Sequence, residues 1–508
     1  LNEEHHCRKA RATRKIDLAK PQQADRHLFG ARVNKHRHFW REQPALLLSL
    51  SLIIGVSSYL FWSFPWNWIF PLCWSAYLIF LRRFAPLLLL LGGVIYSGCF
   101  FRASPTLGEQ EAYFSISSLK IHQSPFEKSL LYQGTLTVSN TQVPASIYWR
   151  GPKHPPANRD YILSGQLIPR GSYEYLFKPK SWKAVKNTWS LAELRYKMKK
   201  RLRALLERKL QKPRTASFLN ALLTGEVQDR SLRYEFSKLG LQHVLAISGF
   251  HFGVLIAFCS FFLSLFLPHR LRLFVLLLAV SSYFLFIGSV PAVQRSWLTA
   301  ALYLIGKLIG RHSTGLNLLG LAALIEVILN PLIPANLGFQ LSFLSCSGIL
   351  LYYPLFEKKL CALFPKRGKE DTAQLSFLSL HVSGLSSYLR KALSLSLAVN
   401  LVLSPLLLYY FHQVPTLSLI YNLFFPFLVS IALFGFLIAW ILYLVWAPIG
   451  NILLQIIDFF TSELLDLIAY PPIALDYSLC TSSIQSWAIP LYLFGLLSLA
   501  IHLKRESF

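Results

Sequence analysis

Acidic residues are scarce in this chain of 508 residues: 24 Asp and Glu stand against 51 Lys and Arg, a formal charge of +27. Charged residues make up only 15% of the sequence and the apolar set 54%. That balance excludes both a disordered chain and a single water-soluble core, and it is the composition of a membrane protein. The surplus positive charge must sit outside the bilayer, where it can meet an anionic partner. Methionine is almost missing. Met198 is the only one and residue 1 is leucine, so the chain starts either at a non-standard codon or after trimming. The seven cysteines include no CxxC pair and mostly fall in apolar runs, where Cys acts as a small hydrophobe. Neither a zinc site nor a disulfide framework is implied. There is no GxxxxGK(S/T) loop, no HExxH and no HxE with PCxxC. These absences argue against ATPase, metal-dependent and nuclease chemistry in this chain and imply no cofactor. His36 and His38 form an HxH pair, but beside Lys35 and Arg37 they read as a solvated basic face.

Long apolar runs are what the sequence has most of. Stretches able to cross a bilayer lie near 44–62, 66–81, 84–101, 243–267, 272–289, 292–309, 314–330, 337–356, 389–411, 416–446, 450–470 and 487–503. The 416–446 run is too long for one simple span, and Asn422 and Pro426 predict a short re-entrant or broken piece before a full helix. Arg82-Arg83, Arg270 with Arg272, Lys307 with Arg311, the 358–369 stretch and Lys504-Arg505 all fall on one side of this pattern, with the basic first 43 residues. The opposing loops 63–65, 289–291, 331–336, 412–415 and 471–486 hold no Lys or Arg. The positive-inside rule then places both termini in the cytoplasm and the insert after 101 outside. The expected fold is a polytopic α-helical membrane protein of about twelve spans carrying an inserted extracytoplasmic β domain. Within the insert, Tyr132–Val138, Ala145–Arg150 and Tyr161–Leu167 alternate apolar and polar residues between turn signals, which reads as a small barrel or sandwich. The expected division is a tail over 1–43, three spans over 44–101, the β domain over 102–190, a helical connector over 191–238, a membrane domain over 239–503 and a short cytoplasmic end over 504–508.

From Leu191 the period changes to that of a helix. Leu191, Leu194, Met198, Leu202, Leu205 and Leu210 predict an apolar face, and Arg195, Lys197, Lys199, Lys200, Arg201, Arg203, Arg208 and Lys209 fill the others. Such a basic amphipathic helix either grips anionic lipid or also attracts a polyanion, with Arg195, Lys199, Lys200, Arg201 and Arg203 as the contacts. The densest polar signal within an apolar run is Gly240 to Gly253, GLQHVLAISGFHFG. Gly249 and Gly253 make a GxxxG step for close helix approach. Gln242, His243, Ser248 and His251 put polar groups at bilayer depth, where they either bond between helices or line a polar path. Arg295 is a cation in an otherwise neutral span, either snorkelling to the interface or contacting an anion in a water-filled path. Asn336, Gln340, Ser342, Asn400 and Asn422 add neutral hydrogen-bonding groups, and Glu326 is a lone buried acid, protonated or bonded to a neighbour.

The stretch 240–253 resembles the signature of the ComEC family of DNA-uptake competence proteins, in which an Ala-Ile-Ser-Gly run is followed by His-x-Gly. Pro291 to Ala301 (PAVQRSWLTAA) is similar to the family's Arg-containing helix, Asn330-Pro331 with Gly338 to Phe343 (GFQLSF) to its NP…GFQLSF segment, and Pro405 to Pro426 to its Pro…Asn…Pro segment. Asp160 to Leu167 (DYILSGQL) resembles the end of the family's external OB-like barrel, and Ala221 to Gly225 (ALLTG) the motif before the channel domain. The sequence departs at Ser296, where the family usually has Ala, and at 225–227, where Gly-Glu-Val replaces Gly-Asp-Arg. Larger members carry a metallo-β-lactamase-like domain with an HxHxDH cluster absent from this sequence, so the resemblance is to a short form and nuclease work on the discarded strand is expected elsewhere.

The resemblance implies an inner-membrane channel for single-stranded DNA, with His243, Ser248, Gly249, His251, Gly253, Arg295, Gln340, Ser342 and Asn422 along the path. It implies an OB-like domain that binds the strand electrostatically and by stacking, with Tyr148, Trp149, Tyr173, Tyr175 and Trp182 available. A DNA receptor, a cytoplasmic translocase ATPase and single-strand-binding proteins are the implied partners, and a homo-oligomer is compatible. Two other classes compete. An intramembrane serine hydrolase would use Ser248 with His251, although the context is Ala-Ile-Ser-Gly-Phe rather than Gly-x-Ser-x-Gly. A small-anion transporter would normally show a repeat between halves, which this sequence lacks.

Overall fold

The computed structural model describes residues 35–60, 66–101, 105, 107–123, 128–139, 141–151, 154–170, 174–247, 249–363, 377–415, 417–469, 478–480 and 485–503. Helix α1 (Lys35–Glu42) turns through 95° into α2 (Pro44–Leu60), with Pro44 at the first helical position, where its missing N–H costs nothing. The last part of the segment read as a tail is therefore folded: Phe39 and Trp40 are buried against Trp74 and Leu78 of α3 (Trp66–Phe80). Helix α4 (Phe84–Phe101) returns along α2.

Five strands follow: β1 (Gly108–Gln123), β2 (Lys128–Val138), β3 (Thr141–Trp149), β4 (Tyr161–Pro169) and β5 (Tyr175–Ala184). They close a barrel in the order β1-β2-β3-β5-β4, with β4 back on β1 and β3 parallel to β5 at Ala145 and Tyr175. The three segments whose alternation reads as β fall on β2, β3 and β4. Along β4, Tyr161, Leu163, Gly165 and Leu167 face inward and join Phe114, Tyr132, Leu136, Ile147 and Phe177 in the barrel core. Gly165 sits at a register shift between β4 and β5, and a Cβ there would lie 2.2 Å from the Lys178 carbonyl, so only glycine lets the two strands approach this closely.

The connector forms α5 (Ala192–Lys209), α6 (Pro213–Thr224), α7 (Arg230–Lys238) and the single turn α8 (Gln242–Leu245). Its buried face differs from the expected one. Leu194 and Met198 are 51% and 45% exposed, whereas Ala192, Glu193, Lys199 and Leu206 are buried. The reason is that the first half of α5 is held by polar bonds rather than by an apolar seam: Glu193 accepts the Ala157 N–H at 2.9 Å. The second half packs normally, Leu206 and Leu210 joining Phe218, Leu222, Leu232 and Phe236.

The remaining helices are α9 (Gly249–Ser264), α10 (His269–Ile287), α11 (Pro291–Leu308), α12 (Gly315–Leu329), α13 (Leu337–Leu360), α14 (Phe377–Phe411), α15 (Leu417–Val445), α16 (Ala447–Ala469) and α17 (Ala488–Leu503). A short antiparallel pair, β6 (Gln413–Pro415) with β7 (Ser478–Cys480), ties two loops. Among the described residues four helices are long and apolar enough to cross a membrane, or five if α1 and α2 count as one bent span. Several of the expected spans are shorter: α3 and α12 have 15 residues, α9 and α17 have 16. At about 1.5 Å per residue these reach roughly 23 Å, less than the apolar thickness of a bilayer. The break expected near Asn422 and Pro426 does not occur. Helix α15 runs unbroken over 29 residues with Pro426 inside it. A proline ring frees only the carbonyl four residues before it, a loss that buried helices tolerate.

Candidate functional site

The conspicuous polar cluster lies where α9, α11, α12 and α13 meet. Arg295 is on the second turn of α11 and only 7% exposed. Its Nε donates to Ser342 Oγ at 2.6 Å, Nη1 to Cys346 Sγ at 3.0 Å and Nη2 to Ser296 Oγ at 3.2 Å. Ser342 and Cys346 share one face of α13 because they stand four residues apart. Ser296 passes its own proton to the Ala292 carbonyl at 2.7 Å, which leaves its oxygen free to accept from the arginine. A guanidinium has five N–H groups, and these three bonds leave two without a partner among the described residues. Gly249 completes the fit, since a Cβ there would lie 2.9 Å from Nη2.

Glu326 on α12 is fully buried, and neither carboxyl oxygen has a hydrogen-bond partner among the described residues. It is within electrostatic reach of Arg295. The neighbour that the sequence reading allows Glu326 to bond is thus not found among those residues, and Arg295 acts on it electrostatically. The cluster is a fixed cation beside an acid, enclosed by apolar helices; in such surroundings charge–charge interactions are far stronger than in water.

Of the residues read as lining a path, Gly249, Arg295 and Ser342 come together here. His251 is buried on the first turn of α9. His243 is exposed on α8, its Nδ1 3.2 Å from the Gly240 carbonyl. Ser248 lies outside the described residues, as does Tyr173. Gly253 has open space where its Cβ would be, so the GxxxG step works through its first glycine alone and against an arginine rather than a helix backbone. Gln340 donates to the Pro334 carbonyl at 2.8 Å, and Asn336 caps α13 by accepting from the Gly338 and Phe339 N–H groups. These two shape the turn between α12 and α13. Asn422, on α15, keeps its Oδ1 buried without a partner among the described residues, and Asn400 bonds the Ser396 carbonyl on its own helix. Cys346 escapes a sequence reading because cysteines in apolar runs look like core; its signal is the four-residue spacing from Ser342.

A second polar assembly joins the barrel to α5 and α10. Arg195 donates to the Ser117 carbonyl in β1 at 3.2 Å and to the Leu285 carbonyl in α10 at 2.6 Å. Lys199 donates to the Ile287 carbonyl and to Glu226, both at 3.1 Å. Two cations therefore sit on the last carbonyls of α10, where the helix dipole favours them. Of the residues read as DNA or lipid contacts, Arg195 and Lys199 are thus bonded within the fold, Lys200 and Arg201 are exposed and Arg203 pairs with Glu207 at 2.7 Å. Burial, then the charge of Lys199, pulls the nearby Lys120 ammonium below its usual range, against an opposing effect of Glu226.

The aromatic residues divide likewise. Trp149, Tyr175 and Trp182 pack against the barrel core, and Trp182 lies 5.4 Å from Tyr132 and 5.1 Å from Tyr161 between ring centroids. Tyr148 stays on the barrel surface, 5.1 Å from the His122 ring, and its hydroxyl accepts from Arg170 at 2.9 Å. Trp189, just before α5, is 73% exposed. No periodicity in the sequence singles it out.

A family model described as Competence protein matches residues 222–506. The chain is 28% identical over 215 residues to ComE operon protein 3 of Bacillus subtilis, covering 42% of this chain and 24% of that protein. It is 29% identical over 196 residues to Uncharacterized protein MG316 of Mycoplasma genitalium, covering 38% of this chain and 49% of that one. The chain thus spans about a quarter and about half of the lengths of these relatives. No solved structure matches it.

Proposed function

Because the chain belongs to the competence protein family, we propose that it is an inner-membrane channel that carries single-stranded DNA into the cytoplasm during natural transformation. In this reading about twelve helices cross the membrane, the shorter ones where the bilayer thins to meet them, both termini are cytoplasmic and the barrel is outside. A strand with one phosphate per nucleotide cannot enter hydrocarbon, so it needs a lined path with donors and a modest positive potential. The observation that supports this most is Arg295: a buried cation, fixed by Ser342, Cys346 and Ser296, with two N–H groups that have no partner among the described residues. The strand order of the barrel supports an OB-like role, gathering the strand by backbone charge and base stacking. The chain acts without chemistry of its own; a DNA receptor delivers the strand, and a cytoplasmic translocase ATPase and single-strand-binding proteins pull it.

The test is uptake of labelled DNA by cells that lack their own protein of this family, retain its partners and express this chain. Wild type restores uptake, and Arg295→Ala, present at equal membrane level, lowers it at least tenfold. A wild type that is well expressed and does not restore uptake overturns the proposal.

A further inference from the structure

Helix α1 and the end of α17 enclose a cleft of about 360 Å³ lined by Lys35, His36, Ser498, Leu499 and His502. Three nitrogen-bearing side chains and a hydroxyl converge there from residues more than 450 positions apart, and among the described residues no carboxylate lines it. The cleft is built on a fixed floor. Trp40 Nε1 donates to Tyr77 Oη at 2.8 Å, and His36 Nδ1 lies 2.8 Å from the same oxygen. An indole can only donate, so the arrangement that uses every proton has Tyr77 accept from Trp40 and donate to Nδ1. That leaves the His36 proton on Nε2, as a donor for something else.

The position of the cleft narrows the ligand. Because α1 meets α2 at 95°, a membrane-crossing α2 lays α1 along the membrane surface, with Phe39 and Trp40 buried beneath it and Arg37, His38 and Arg41 exposed. Apolar surface flanks it: Leu499 and Phe494 on α17 are 46% and 45% exposed, and Ile79 and Phe80 at the end of α3 are 57% and 48% exposed. Donors at the surface beside exposed apolar helix faces match an amphiphile with a phosphate head and acyl tails. Repulsion from His502, second to burial, also pulls the His36 imidazole below its ordinary value, and a phosphate between the rings would relieve it.

We propose that the headgroup of an anionic phospholipid docks in this cleft, its phosphodiester held by Lys35, His36 and His502. The inference rests on the membrane-spanning reading of the apolar helices and is independent of DNA transport.

The test uses the full chain in nanodiscs of phosphatidylcholine, with or without phosphatidylglycerol, and follows thermal unfolding. Phosphatidylglycerol raises the melting temperature by several degrees in wild type and in Arg41→Gln, a loss of the same charge on α1 outside the cleft. The rise falls to less than half in the double variant Lys35→Gln/His502→Gln. His502→Gln alone, at an exposed ring, gives a partial fall and serves if the double variant does not fold. An undiminished rise in these variants, or an equal fall in Arg41→Gln, overturns the site. A millimolar inorganic phosphate effect equal to that of phosphatidylglycerol overturns the lipid assignment in favour of free phosphate.

Discussion

The ion pair between Lys199 and Glu226 offers the sharpest measurement. The two side chains are 9% and 13% exposed and 3.1 Å apart, a separation worth about 5 kcal/mol of Coulomb attraction at an effective dielectric of 20, before desolvation is subtracted. Removing one partner strands the other, at a cost of about 3–5 kcal/mol for a buried pair. Lys199→Met also gives up the bond to the Ile287 carbonyl at the end of α10 and is expected at about 4 kcal/mol, the middle of that range. Glu226→Leu leaves Lys199 that carbonyl as a partner and is expected at about 2 kcal/mol. The double variant Lys199→Met/Glu226→Leu strands no charge, loses the carbonyl bond and is expected at about 3 kcal/mol, which gives a coupling of about 3 kcal/mol. Unfolding of the four proteins in detergent, with proteolysis at the junction of barrel and α5 as a second readout, closes the cycle. A coupling below about 0.5 kcal/mol would show that the two charges act independently and refute the reasoning.

At the arginine cluster, Gly249→Ala puts a methyl group 2.9 Å from Arg295 Nη2, so the guanidinium must shift against its bonds to Ser342, Cys346 and Ser296 and the melting temperature falls, and Gly249→Val, branched at Cβ, lowers it further. Equal melting temperatures for both variants would disprove the contact. Asp458, 4% exposed on α16, accepts the Gln211 and Lys212 N–H groups at 2.7 and 3.1 Å just before α6; Asp458→Ala is expected to cost about 1–2 kcal/mol, as the loss of a helix cap does, and protease sensitivity at 210–213 reads it. In the barrel the Tyr113 hydroxyl donates to Asp160 at 2.5 Å, which pushes that phenol up to about 12. An acid raised in the folded state stabilises fully below its unfolded value and loses that contribution as pH rises through the window from about 10 to about 12. Ultraviolet titration of wild type and Asp160→Asn checks this, the variant bringing the Tyr113 transition back toward 10. Trp189→Ala leaves the melting temperature unchanged and weakens binding of oligothymidylate by about 1–3 kcal/mol, the worth of one stacked base; unaltered affinity excludes that tryptophan as a stacker.

Much of the architecture is legible in the chain because it rests on local period. Alternation marks β2, β3 and β4, and apolar runs mark the long helices. The Gly-rich signature and the arginine helix identify the family through residues adjacent in sequence. What stays illegible depends on distant partners. The α5 periodicity points to Leu194 and Met198 as its buried face, yet the barrel and the end of α10 recruit Lys199 and Glu193 instead. Gly253 and Gly249 look equivalent in the motif, and only the approach of Arg295 separates them.

The sequence by itself determined the apolar, membrane-type composition, the interrupting β segment and the placement of a cation within a neutral helix, since each is a property of residue order and hydropathy. Only the tertiary structure decided what that cation touches. Ser342 and Cys346 reach Arg295 across 47 and 51 residues of chain, and Lys35 and His502 line one cleft from nearly opposite ends of it. Contacts at such separations are fixed by how helices pack against one another, because burying a charge or a donor is tolerable only where another element supplies its partner.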